Sequence, residues 1–146
     1  MARKTKQLRR GVKKVVVRPV EFRRTIAHYD ARLPAVVSTP SMIGQMEVAA
    51  AKLLLPFLPK GAISVGTHIN VSHVAPATVG EKLRVTAEFD RIYHPRNGGR
   101  PRYVFSVEAR VGRRLVGAGA VERAVVVPNY SGRGPQPAAS RRRARG

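Results

Sequence analysis

The chain has 146 residues and a formal net charge of +20, with no Cys, no Trp and only four Phe and four Tyr. That length suits one domain with a real core, and the missing Cys excludes a disulfide framework, a thiolate metal site and a Cys nucleophile. Scarce aromatics argue against a base-stacking RNA module, and no apolar run approaches the ~20 residues that span a bilayer.

Residues 1–12 are charged, carry no apolar stretch of the kind a secretory leader needs, and read as a basic disordered tail on a cytoplasmic protein. Residues 1–24 hold ten Lys or Arg against one Glu. Val12 to Val20 is β-rich and predicts a first strand, with Pro19 suiting an edge or an end. Residues 28–40 contain two prolines and read as a loop. Residues 41–59, SMIGQMEVAAAKLLLPFLP, are rich in Ala, Leu and Met, which favour a helix. Ser38 or Thr39 before Pro40 is a helix start, and Pro56 and Pro59 end it. This helix is apolar nearly all round, so burial on most sides is expected.

The second half alternates apolar and polar positions over 63–75, 81–94, 100–112 and 113–127, a strand pattern. Asn97-Gly98 and Gly112-Arg113 mark tight turns between them. The C-terminal 19 residues, 128–146, hold five Arg and no acid among Pro, Gly and Ala. That composition predicts a second disordered tail. The domain is therefore 13–127. One helix must serve four or five antiparallel strands, so the economical arrangement is α+β: a curved antiparallel sheet wrapped around one long central helix, the hot-dog fold. Its open strand edge calls for a second subunit, so a homodimer is expected.

On a helical wheel Glu47 lies between Ile43, Ala50, Ala51 and Leu54, on an apolar stripe, while Gln45 and Lys52 fall on the opposite side. Burial there disfavours the charged carboxylate and raises its pKa toward the range of a base. A subunit interface or plain solvation is the alternative. In 66–80, GTHINVSHVAPATVG, strand alternation places His73 with Val71 and Ile69, and His68 with Asn70 and Ser72. Gly66 in V-G-T-H is a position where backbone approaches a ligand closely. Thr39 stands at the mouth of the helix, where it also fits an ordinary helix start.

The segments Thr39–Glu47 (TPSMIGQME), Val65–His68 with Ser72-His73, and Gly119–Arg123 (GAVER) resemble the fluoroacetyl-CoA thioesterase group of hot-dog proteins. The similarity runs from about residue 14 to 127 and leaves both tails outside. It implies a dimer that hydrolyses small acyl-CoA thioesters, with no cofactor beyond the coenzyme A of the substrate. It also implies that Thr39, Glu47 and His73 are catalytic, that Gly66 contributes backbone to the substrate, and that Arg123 is the family's last-strand arginine. Glu47 would activate water or Thr39, or itself attack; His73 would orient water or stabilise charge. The Gly66 amide would donate to the carbonyl oxygen. Where the family carries gating aromatics, the loop Asp30–Ser38 has no Phe. Leu33 and Val36 stand at the acyl entrance instead, which points to a larger or generic acyl group. Arg96, Arg100 and Arg102 flank the 95–101 turn and suit the phosphates of coenzyme A, or a solvated tip.

Two other readings share this fold. One is a catalytically idle module that binds acyl-CoA or an acyl carrier. The other is a dimerisation platform whose basic tails contact nucleic acid or an acidic partner through counterion release. Sparse aromatics count against nucleic acid as the main business of the domain, and the intact Thr39, Glu47 and His73 favour the enzyme.

Overall fold

A computed structural model describes residues 7–128; residues 1–6 and 129–146, the bulk of the two expected tails, lie outside the described residues. The first strand, β1, covers Lys13–Pro19, where three consecutive valines favour extended backbone. Just before it, Leu8 and Val12 pack against the core and the Gly11 N–H donates to Phe89 O (2.9 Å). Two one-turn helices, Phe22–Arg24 and Ile26–His28, follow β1 and lead into the segment expected to be a loop.

The helix α1 spans Thr39–Leu54. Ser38 caps it by accepting the Ser41 N–H, and Pro40 sits in the first turn, where a missing N–H is harmless. Pro56 lies in a single tighter turn, Leu55–Phe57, that finishes the helical run. Four strands follow: β2 (Ile63–His73), β3 (Lys82–Tyr93), β4 (Arg102–Val111) and β5 (Arg114–Val126). All pair antiparallel in one sheet of order β1-β3-β4-β5-β2. Gly98 (φ 77°) and Gly112 (φ 55°) turn the two hairpins with left-handed backbone that other residues resist.

The core lies between α1 and one face of the sheet. Met42, Met46, Ala49, Leu53 and Leu54 meet Leu83, Val85, Phe105, Val107 and Val121. Burying each large side chain is worth roughly 1.5–3 kcal/mol. This is the hot-dog arrangement, and the strand boundaries agree with the alternation pattern to within one or two residues.

The wheel differs from the structure in where the core lies. Gln45 was expected opposite the apolar stripe, yet it is 4% exposed, and its amide Nε2 donates to Val16 O (3.1 Å) and Leu83 O (2.9 Å). The buried sector centres on Met42, Met46, Ala49 and Leu53. Glu47 therefore sits at the margin of that sector, with its side chain 30% exposed. α1 packs chiefly on β3 and β1, leaving β2 as an open edge on which Ile63, Val65 and Ile69 are exposed. No described helix is long and apolar enough to cross a membrane.

Gln45→Leu keeps the volume but removes the amide that serves two buried strand carbonyls. It should lower unfolding stability by about 1–3 kcal/mol, measured by chemical denaturation. An unchanged midpoint would show that those bonds contribute nothing net.

Candidate active site

Thr39 is the first residue of α1, so its exposed hydroxyl is not covered by a preceding turn. His73 is the last residue of β2, and alternation turns it to the helix side, opposite Gly117. The two meet: Thr39 Oγ1 and His73 Nδ1 share a hydrogen bond of 2.8 Å, its direction set by the imidazole tautomer.

Two turns further along α1, Glu47 reaches toward the other half of β2. A Cβ added at Gly66 would fall on the Glu47 carboxylate, so the bare backbone of Gly66 is what lets the carboxylate lie against the strand. Arg123 is the register partner of Gly66 on β5. Its Nη1 lies 3.5 Å from Glu47 Oε1, and its side chain is 8% exposed. Arg123 Nε donates to Ser64 Oγ (2.7 Å) and Nη2 donates to Ser64 O (2.9 Å). Burial pushes the Arg123 guanidinium down from its ordinary pKa, and the Glu47 carboxylate pushes it back up. Glu47 Oε1 is buried and has no hydrogen-bond partner among the described residues. The rest of the carboxylate borders an open cleft of about 460 Å³ lined by Glu47, Gly66, Thr67, His68 and Ile69. A bulge at Thr67 shifts the register there and sets His68 opposite Glu122 on the outer face.

Within one protomer the three expected catalytic residues do not all converge. Thr39 and His73 form one cluster; Glu47, Gly66, Arg123 and Ser64 form another. Gly66 and His73 stand toward opposite ends of β2, about 20 Å apart at ~3.3 Å per residue, and Thr39 and Glu47 are about 12 Å apart along α1 at ~1.5 Å per residue. Those spacings keep the two clusters apart within one protomer, and Arg123 stands beside the carboxylate at the Gly66 end.

Leu33 is exposed on the segment before α1, and Val36 is half-buried and bridges to Thr78. Arg102 donates to Arg100 O (3.0 Å) and Arg100 to Val125 O (3.4 Å) near the β3–β4 turn, and Arg96 lies in that turn. None of the three forms an ion pair among the described residues. A larger cleft of about 530 Å³ at the far end of α1, lined mostly by Leu8, Leu54, Phe57, Leu58, Ile92 and Tyr103, contains none of the expected catalytic residues. No group of three or more His, Asp or Glu able to hold a metal occurs among the described residues.

Sequence reasoning missed Ser64. The signal was alternation, since Ser64 stands two residues before Gly66 and shares its face. It also missed the exposed edge-to-face cluster of Phe22, His28 and Tyr29 just before the entrance segment, with ring centroids 6.2 and 5.7 Å apart, because local pattern does not show that two one-turn helices bring these rings together.

The sequence matches the family described as FlK, fluoroacetyl-CoA-specific thioesterase, over residues 20–129. A fluoroacetyl-CoA thioesterase of Streptantibioticus cattleyicolor is 38% identical over 96 residues, covering 66% of this chain and 65% of that protein, just under two thirds of its length. The solved structure of the fluoroacetyl-CoA thioesterase FlK superposes with a TM-score of 0.74 at 32% identity, covering 84% of this chain and 90% of that one. A hot-dog-like protein from Thermanaerovibrio acidaminovorans superposes at 0.71 with 30% identity, covering 81% and 83%.

Gly66→Ala should leave the fold intact, because the added methyl meets only the movable end of Glu47. Gly119→Ala should cost about 1–3 kcal/mol or more, because its methyl meets the fixed backbone of Asn70 and Val71. Thermal melts of the two variants check this; equal losses would contradict the geometry.

Proposed function

Because the chain belongs to the fluoroacetyl-CoA-specific thioesterase family, we propose that it hydrolyses an acyl-CoA thioester to the free acid and coenzyme A. The observation that carries this reading is the Glu47 carboxylate, backed by a buried Arg123 and lodged against Gly66 on the wall of an open cleft.

A thioester carbonyl carbon needs an attacking oxygen, a group to take its proton and donors for the oxyanion that forms. In this reading water attacks the carbonyl carbon and Glu47 takes its proton. The backbone at Gly66, which a side chain would obstruct, approaches the carbonyl oxygen. The C–S bond then breaks, the acid departs, and the coenzyme A thiolate takes up the proton. With Nδ1 engaged by Thr39, Nε2 of His73 is the ring atom left to orient the reacting water. Arg96, Arg100 and Arg102 are assigned to the phosphates of coenzyme A, since none is committed to a carboxylate. Leu33 and Val36 border the acyl entrance, and the absence of Phe from residues 30–38 favours an acyl group larger than fluoroacetyl.

The separation of the two clusters is resolved in a homodimer. β2 is an open edge with apolar side chains exposed along it, and such an edge invites pairing. With Thr67 bulged out of the ladder, antiparallel pairing of two copies about a two-fold at Asn70 sets Gly66 of one copy opposite the partner's His73. Each Glu47 then faces the Thr39–His73 pair of the other chain, and two equivalent sites form.

In a panel of acyl-CoA substrates read by free-thiol release, the wild type should turn over at least one. Glu47→Ala should lower the maximal rate by about 10²–10⁴-fold, the usual contribution of a general base. Release that survives this substitution would remove Glu47 from the mechanism. Sedimentation at micromolar concentration should give a dimer; a stable monomer would contradict the two-fold arrangement.

A further inference from the structure

We propose that Ser64 is a positioning residue of this site: it holds Arg123, and Arg123 in turn holds the Glu47 carboxylate. The inference rests on the reading of Glu47 as the group that acts on the thioester. Arg123 projects from β5 into a nearly closed space, and a buried guanidinium brings five N–H donors that need direction. Ser64 takes two of them with one residue, Nε on its hydroxyl and Nη2 on its carbonyl. The guanidinium is planar and rigid, so fixing Nε and Nη2 fixes Nη1 as well. Nη1 is the atom that faces Glu47 Oε1. Oε1 is buried with no hydrogen-bond partner among the described residues, so the nearby guanidinium is the charged group that steadies it.

The Ser64 hydroxyl is the removable half of this grip. In Ser64→Ala the carbonyl remains, so the fork keeps one anchor and can pivot about it. Ser64 also borders a mostly apolar cleft of about 210 Å³ lined with Ala51, Lys52, Leu55 and Ile63. Ser64→Thr keeps the hydroxyl and adds one methyl at a half-buried, β-favourable strand position. Hydrogen bonds from a cation are about twice as strong as neutral ones, so a change at Ser64 is felt at Glu47 although the two share no hydrogen bond.

The test uses the full chain with Ser64→Ala and Ser64→Thr. It follows kcat and KM for acyl-CoA hydrolysis, together with the side-chain carboxylate carbon resonance of Glu47. Ser64→Ala should lower kcat roughly tenfold, the size of one hydrogen bond to a charged group, with KM within about twofold, and should move the Glu47 resonance. Ser64→Thr should restore both. In the unsubstituted protein the Arg123 Nε–H should exchange with solvent more slowly than those of exposed arginines, a readout that stands even where Ser64→Ala fails to fold. A Glu47 resonance indifferent to Ser64→Ala, a kcat unchanged in that variant, failure of Ser64→Thr to restore it, or fast exchange at Arg123 each overturns the proposal. A wild type that releases no thiol from any acyl-CoA overturns the thioesterase reading instead; the resonance and the exchange rate then still decide whether Ser64 holds Arg123.

Discussion

One helix of sixteen residues has to face five strands. It is about 10 Å wide with its side chains, whereas five strands spaced at about 4.8 Å present a surface about twice that breadth. α1 covers β3 and β1 most closely and meets β2, β4 and β5 less extensively. The core is accordingly complete on one side, where Gln45 even ties the helix to the backbone of β1 and β3. On the other side the helix margin and the β2 edge stay open. Every residue singled out for chemistry on α1 or β2 belongs to that open side: Thr39 and Glu47 along the helix, Gly66 and His73 along the strand.

The open side explains why polar groups are tolerated there and how they are organised. Glu47 keeps part of its carboxylate toward solvent while Oε1 is covered. A buried carboxylate oxygen is costly unless a counter-charge stands by it. Arg123 supplies that charge from β5, and its own burial is compensated by both oxygens of Ser64. Three strand positions thus cooperate on one helix side chain. Gly66 gives it space, Arg123 gives it charge, and Ser64 gives Arg123 its direction. Thr39 and His73 form a second, simpler unit whose two members come from the start of the helix and the end of the strand. The acyl-CoA chemistry proposed for the protein uses both units on one substrate.

Much of the fold was legible because it follows from period alone. Alternation in 81–94 and 100–112 marks β3 and β4, and Asn97-Gly98 and Gly112 mark the turns between strands. The helix start was legible from Ser38, Thr39 and Pro40. Strand order was not, since β2 reaches the far edge through long-range pairing with β5 that no local signal carries. The wheel failed at Gln45 for a physical reason. It equates polarity with exposure, and the carbonyls of Val16 and Leu83 make a buried amide favourable at that position. The candidate residues were legible by type and by family spacing, whereas the Thr39–His73 contact depends on long-range packing of the helix start against the end of β2. That Glu47 would lie against Gly66 and Arg123 was not legible, because those two come together with it only through the register of β5 against β2.

The central claim is that one site draws Glu47 from one chain and His73 from the other. It is tested most directly by mixing two variants that are inactive alone, Glu47→Gln and His73→Ala, after denaturation and refolding together. Random reassociation gives heterodimers in which one of two symmetric sites carries an intact Glu47 and an intact His73, so acyl-CoA hydrolysis should return to about a quarter of the wild-type rate. If each protomer houses its own complete site, every site in the mixture lacks one of the two residues. The mixture would then stay as inactive as its components, and the shared site would be refuted.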